Sequence, residues 1–159
     1  MRVSLEVRRA DAEDAPFILN CLAVAFEMYR CQYSPQVYAD TVLDSDTVRR
    51  RMAEMSVLVA VSEGQVVLTI AYCVRRNEGH VRGMAVLPRW HGAGVASVLL
   101  ETAEAELLAH GCVRVTLNST QPLQRAIRFY ERNGFSASGR VTEFFGMQLY
   151  EFVKSLSRA

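Results

Sequence analysis

Residues Leu87-Pro88-Arg89-Trp90-His91-Gly92-Ala93-Gly94-Val95-Ala96-Ser97 hold the densest chemical signal in the chain. They join a β-rich run to a long amphipathic one. Pro88 stops a strand by removing a donor and fixing φ. Gly92 and Gly94 let the backbone curl so that several N–H groups converge at a helix start. Those amides have no intrahelical partner and lie at the positive end of the helix dipole. Such a nest binds phosphate, and the strand before it and helix after it give the glycine pair its weight. Arg89 adds a guanidinium that can reach phosphate oxygens. His91 contributes through its backbone, or through a side-chain contact of its own. Arg125, Arg128 and Arg132 recur at helical spacing, either as a row facing phosphate or as a solvated helix face. The solvated reading is preferred for Arg128 and Arg132.

Two side chains offer proton chemistry. The Tyr130 phenol, with an ordinary pKa of about 10, holds its proton at neutral pH and can act as a proton donor. Its plainer alternative is packing at a helix end, as for Phe129. The His80 imidazole titrates near neutrality and can accept a proton directly or through water. Its plainer alternative is a surface position at a strand start, and Glu78 and Glu27 are rival bases.

The elements that must position these groups follow from hydrophobic spacing. Val3–Arg9 alternates and reads as a strand. Asp11 caps a helix carrying Phe17, Ile18, Cys21, Leu22, Ala25 and Phe26 on its apolar face. Residues 27–44 read as a loop with a short helix, and a further helix runs from Asp46, as cap, to Met55. Ser56–Val61 and Gln65–Arg75 form a hairpin around Glu63-Gly64. Asn77-Glu78-Gly79 turns again before a strand at His80–Leu87. A long helix spans Gly92–His110 with Val95, Val98, Leu99, Ala103 and Leu107 on one face, closed by Gly111. Val113–Leu117 is a strand and Gln121–Arg132 a helix with Pro122 near its start. Phe135–Val141 and Phe145–Val153 are the last strands. The order predicts one domain over residues 1–159: a mixed α/β (α+β) sheet with helices on its faces.

Composition narrows the class. Half the residues are hydrophobic, 22% are charged and the formal net charge is +1, so the chain reads as globular with no whole-chain pull towards nucleic acid or acidic membranes. The N-terminus lacks an apolar signal-peptide core and no apolar run is long enough to span a bilayer, which predicts a soluble cytoplasmic protein. Cys21, Cys31, Cys73 and Cys112 form no Cys-x-x-Cys pair and stand apart from the three histidines. Neither a metal site nor a disulfide framework is expected.

Arg89-Trp90-His91-Gly92-Ala93-Gly94 and Ala126-Ile127-Arg128-Phe129-Tyr130-Glu131-Arg132-Asn133-Gly134-Phe135 together resemble the two signatures of the GNAT acetyltransferase superfamily. The resemblance covers nearly the whole chain. It implies a central, mostly antiparallel sheet whose fourth and fifth strands splay apart, with helices on both faces. It implies acetyl-CoA as co-substrate and an amine as acceptor, read here as the primary amine of a small molecule, with no metal expected. A protein N-terminus or lysine is the alternative acceptor, and a non-catalytic acyl-CoA sensor is the alternative class. The pantetheine arm is expected along Met84, Ala85 and Val86, and the diphosphate on the turn at His91, Gly92, Ala93, Gly94, Val95 and Ala96. Tyr130 falls where the family places the hydroxyl beside the CoA sulfur, and His80 where relatives often place a base. This chain has Leu123 where many relatives carry an asparagine, and Asn118 or Ser119 stands as the replacement contact. Tyr29, Tyr33, Tyr38, Phe144 and Phe145 are candidates for an aromatic acceptor wall, with Glu27 or Glu143 for a substrate ammonium. A homodimer is common in the family, but no interface is readable here.

Overall fold

The computed structural model describes residues 4–120 and 123–157. They build one seven-stranded sheet in the order β1-β2-β3-β4-β5-β7-β6. The strands are β1 Glu6–Arg9, β2 Ser56–Ser62, β3 Gln65–Arg75, β4 Glu78–Val86, β5 Arg114–Thr120, β6 Ser136–Phe144 and β7 Met147–Ser155. Every neighbouring pair is antiparallel except β4 and β5, which run parallel. The helices are α1 Ala15–Phe26, α2 Pro35–Thr41, α3 Ser45–Glu54, α4 Val95–Ala109 and α5 Gln124–Arg132.

β2 and β3 are buried along most of their length, so their runs read as continuous apolar stretches rather than alternating ones. α4 covers one face: a methyl placed on Gly79 would come within 2.7 Å of Leu107 Cδ1. Side chains alternate along a strand, so Gly79 and Val81 face α4, while His80 and Arg82 face the other way. Arg82 meets Asp40 of α2 there, and α1 and α3 pack against the central strands. Arg8 ties β1 to the start of α1 through a two-pronged pair with Asp14 at 2.7 and 2.9 Å. β6 lies at the sheet edge with nearly every side chain exposed, which suits an edge strand rich in small and polar residues.

Several boundaries differ from the sequence reading. The β3–β4 turn is Arg76–Asn77, not Asn77–Gly79, and β4 begins at Glu78. Arg76 takes the left-handed conformation (φ 59) that the glycine signal assigned to its neighbours. α3 is capped by Asp44, whose carboxylate accepts from Asp46 and Thr47 N–H, rather than by Asp46. Residues 27–44, read as a loop with a short helix, hold α2 and, before it, a 3-10 segment at Glu27–Gln32. α4 begins at Val95, after the left-handed Gly92 and Gly94, and it buries Leu100 and Glu104 while Val98 is exposed. β5 extends to Thr120, and the last hairpin is shifted so that Phe145–Gly146 forms its turn. The expected helix start at Gln121 and Pro122, and Val3 of the first strand, lie outside the described residues.

Candidate active site

β4 and β5 pair only from Glu78–Val81 to Arg114–Leu117. Beyond that point they part. Asn118–Thr120 continue along β7, whereas Arg82–Val86 continue along β3. The cause is local. Between Thr69↔Ala85 and Ala71↔Arg82 the register takes two steps on β3 and three on β4, so β4 carries an extra residue at Gly83–Met84. Gly83 accepts φ 65 there. Such a bulge bends its strand and sharpens the twist, which swings the end of β4 away from β5. The Leu87 N–H bonds Val67 O at 2.9 Å. Alternation then turns the N–H and C=O of Val86 towards the gap.

The gap opens into a cleft of about 810 Å³. At one end stands the start of α4. Its first intrahelical bond runs from Val98 N–H to Gly94 O, so the N–H groups of Val95, Ala96 and Ser97 precede it. Gly94 caps the helix with φ 79 and has no side chain to satisfy those donors. Nothing lies within 4 Å of a side chain built on Gly92 or Gly94, so the space above the amides is open. Burial, followed by the Arg125 cation, lowers the His91 pKa, and the nearby Val86 main chain opposes the shift. Arg125 and Arg132 also line this end. The indole Nε1 of Trp90 and the Ser119 hydroxyl are buried without a hydrogen-bond partner among the described residues. Both residues line the cleft.

Tyr130 comes from α5, whose final turn is closed by Phe135 N–H bonding Tyr130 O at 3.0 Å. Its ring sits edge-on to Phe129 and Phe135 at centroid distances of 5.5 and 5.8 Å. The hydroxyl donates to Met84 Sδ at 3.6 Å, a weak acceptor, at the β4 bulge. Burial raises the phenol pKa well above its ordinary value. His80 stands further down β4, with Nδ1 3.0 Å from Thr116 Oγ1. Burial, then the charges of Arg75 and Arg82, push its pKa down to about 4, while Glu151 and Glu78 pull the other way. His80 is therefore neutral at physiological pH. It lies between the main cleft and a side cavity of about 240 Å³ bounded by Glu78, Arg140 and Glu151.

The open amides at the start of α4, a parted strand pair and a buried phenol meet on one cleft. The chain matches the Acetyltransferase (GNAT) family over residues 22–135, a span that includes the glycine turn and Tyr130. It belongs to that family. An uncharacterised N-acetyltransferase of Mycobacterium tuberculosis (strain ATCC 25618 / H37Rv) is 30% identical over 131 residues, covering 76% of this chain and 83% of its own. The PaiA N-acetyltransferase of Thermoplasma acidophilum, solved with coenzyme A, has the same fold (TM-score 0.79, 16% identity, 96% of this chain and 99% of that one). So does the ribosomal-protein-S18-alanine N-acetyltransferase of Escherichia coli (TM-score 0.78, 16% identity, 98% and 96%).

Within this GNAT fold the site residues read from sequence divide into two groups. Met84, Ala85, Val86, His91, Gly92, Gly94, Ala96, Asn118, Tyr130, His80, Tyr29 and Tyr33 all line the cleft. Others do not. Arg89 bonds Gln65 Oε1 at 3.2 Å on the exposed surface, because the 3-10 turn at Pro88–Trp90 directs it back along β3. Val95 is buried in the core, and Ala93 is not among the lining residues. Glu27 is exposed and pairs with Arg30 at 3.7 Å. Phe145 is 57% exposed at the tip of the last hairpin, with φ 45, and Phe144 takes its place in the lining. Arg132 is exposed, as the solvated reading has it, and also lines the cleft. Arg51, Arg75, Arg82 and Asp40 line the cleft without having been read as site residues. They carry no local motif: Asp40 comes from α2, Arg51 from α3, Arg75 from β3 and Arg82 from β4, and only the fold brings them to one cleft. Cys73 stands opposite His80 in the β3–β4 register yet lines neither cavity, and burial pushes the Cys21 thiol up to about 12.

Proposed function

We propose that the chain works as a single N-acetyltransferase domain that moves an acetyl group from acetyl-CoA to the primary amine of a small molecule by direct attack. The observation that carries this reading is the meeting, on one cleft, of the α4 amides, the parted end of β4 and the Tyr130 hydroxyl. The residues present fit CoA. The N–H groups of Val95–Ser97, with Arg125 beside them, match a diphosphate. The Val86 main chain and the orphaned Ser119 hydroxyl offer partners to the amides of an extended pantetheine arm. The orphaned Trp90 Nε1 is a further donor at the cofactor end. Bound there, acetyl-CoA supplies an activated thioester carbonyl.

Attack requires a neutral amine, because an ammonium has no lone pair. His80, held neutral, accepts a hydrogen bond from the amine or from a water that carries its proton away. Main-chain N–H donors on the freed stretch of β4 stabilise charge developing on the carbonyl oxygen. Among the described residues the Tyr130 hydroxyl is bonded only to a thioether sulfur, so a departing thiolate is a far better acceptor for its proton. A phenol whose pKa is raised holds that proton tightly, so its first contribution is a hydrogen bond to the developing negative charge. The balance is one amine proton lost, one thiol proton gained, and a C–N bond formed as the C–S bond breaks. The aromatic wall favours a small acceptor over a peptide: Tyr33 bonds Thr120 Oγ1 at 3.0 Å and ties the α1–α2 connection across to β5. Acetyl-CoA consumption against amino acids, polyamines, aminoglycosides and peptides, with product masses, tests the reading. Mass gain of one acetyl group on a small primary amine is expected. Hydrolysis alone, with no amine product, would contradict it.

A further inference from the structure

The amine end of the cleft has an uneven charge. Arg51, Arg75 and Arg82 line it, and among the described residues Asp40 is the only carboxylate in the cleft lining. Asp40 is already engaged, 2.8 Å from Arg82. Arg51 has no such partner. Its guanidinium lies over Gly83, in space that any side chain at that position would occupy. Its hydrogen bond is to the Asp40 main-chain oxygen at 3.4 Å, and no carboxylate lies within ion-pair distance of it among the described residues. Burial, then the neighbouring Arg82, lower its pKa to about 10, with the Asp40 charge opposing them. A half-buried guanidinium without a counter-ion is costly, and its planar fork is matched by a carboxylate.

We infer that the acceptor is an amine that also bears a carboxylate, an amino acid with an apolar side chain, its carboxylate held by Arg51 and Arg82. This rests on the acetyltransferase reading above and deepens it. The bulge at Gly83 is adjacent to Met84, whose sulfur receives the Tyr130 hydroxyl, so the Arg51 guanidinium over Gly83 lies one residue along β4 from the reacting end, and so does an anion paired with it. That short offset suits a carboxylate close to the amine rather than at the far end of a chain. The stacked rings of Tyr29 and Tyr33, 6.2 Å apart, give the side chain an apolar wall. The same arginines repel a polyamine.

The test is steady-state acetylation by the intact protein of the standard amino acids, their amides, the corresponding decarboxylated amines and spermidine, each corrected for its neutral-amine fraction. At least one amino acid should exceed its own amide and decarboxylated form in kcat/KM by about tenfold or more, the scale of a charge-assisted bond. In both Arg51→Gln and Arg82→Gln that ratio should collapse towards one through a raised amine KM, with KM for acetyl-CoA unchanged. Melting temperature and CoA titration show whether each variant is folded. Equal use of carboxylate and amide, a preference for spermidine, or a ratio that survives in both folded variants would overturn the inference. So would acetylation of no amino acid by a protein that binds CoA. Absence of CoA binding would instead remove the acetyltransferase reading, and this inference with it.

Discussion

The Tyr130 hydroxyl and the His80 imidazole enter the cleft from different elements, and burial is the largest cause of the tuning of each. Desolvation disfavours the charged form of each, so the phenol keeps its proton and the imidazole refuses one. Tyr130→Phe removes the donor but leaves the ring between Phe129 and Phe135. Turnover should fall by about 10- to 100-fold with KM for acetyl-CoA little changed, as steady-state kinetics would show. Wild-type turnover would end the acid role. His80 releases its proton near 4 in the fold against 6.5 in the unfolded chain. Between those values the unfolded chain binds more protons, so stability rises with pH across that window and is lost as pH falls through it. His91, also lowered, adds in the same sense. Melting temperature should therefore drop between pH 6.5 and 4, and His80→Gln should flatten part of that drop. For the same reason the pH–rate profile should show no inflection near 6.5 and should climb towards the pKa of the acceptor amine. The residue types were legible in the sequence, and the tuning was not. Thr116 and Arg75, which surround His80, lie on other strands, and nothing in a linear reading brings them together.

At the scale of elements, two glycines that look alike in sequence have different duties. Gly94 holds a left-handed conformation with open space around it. Gly94→Ala should therefore meet no clash, only the backbone penalty of about 1–2 kcal/mol. Thermal melts should register a loss of about 2–8 °C, and KM for acetyl-CoA should rise as the amides turn away. Gly79 is in ordinary extended strand, and its missing side chain is occupied by Leu107. The sequence reading took Gly79 for a turn because turn and close-packing glycines share one letter. The true turn residue, Arg76, has a φ that its type disguises, and Phe145 hides the last hairpin turn in the same way. The order of elements and the nest before α4 were readable because Pro88, the glycine spacing and a long apolar period agree locally. The β4 bulge was not, since its register is defined only against β3.

For the molecule as a whole, a net charge of +1 conceals a separation of charge. Arg8, Arg114 and Lys154 are paired with carboxylates outside the cleft, while Arg51, Arg75, Arg125 and Arg132 line it without a carboxylate within ion-pair distance among the described residues. Composition could not show this, and it is why the glycine turn could be read directly while the acceptor wall had to wait for the packing of α2 and α3. The central claim is that the cleft grips a diphosphate on the α4 amides and so sets a thioester beside Tyr130. Calorimetric titration with acetyl-CoA and with acetyl-pantetheine, which lacks the diphosphate, tests it most directly. Acetyl-CoA should bind with clear heat, and acetyl-pantetheine at least about 100-fold more weakly, about 2.7 kcal/mol. Equal affinity for the two, or no heat from acetyl-CoA, would contradict the account.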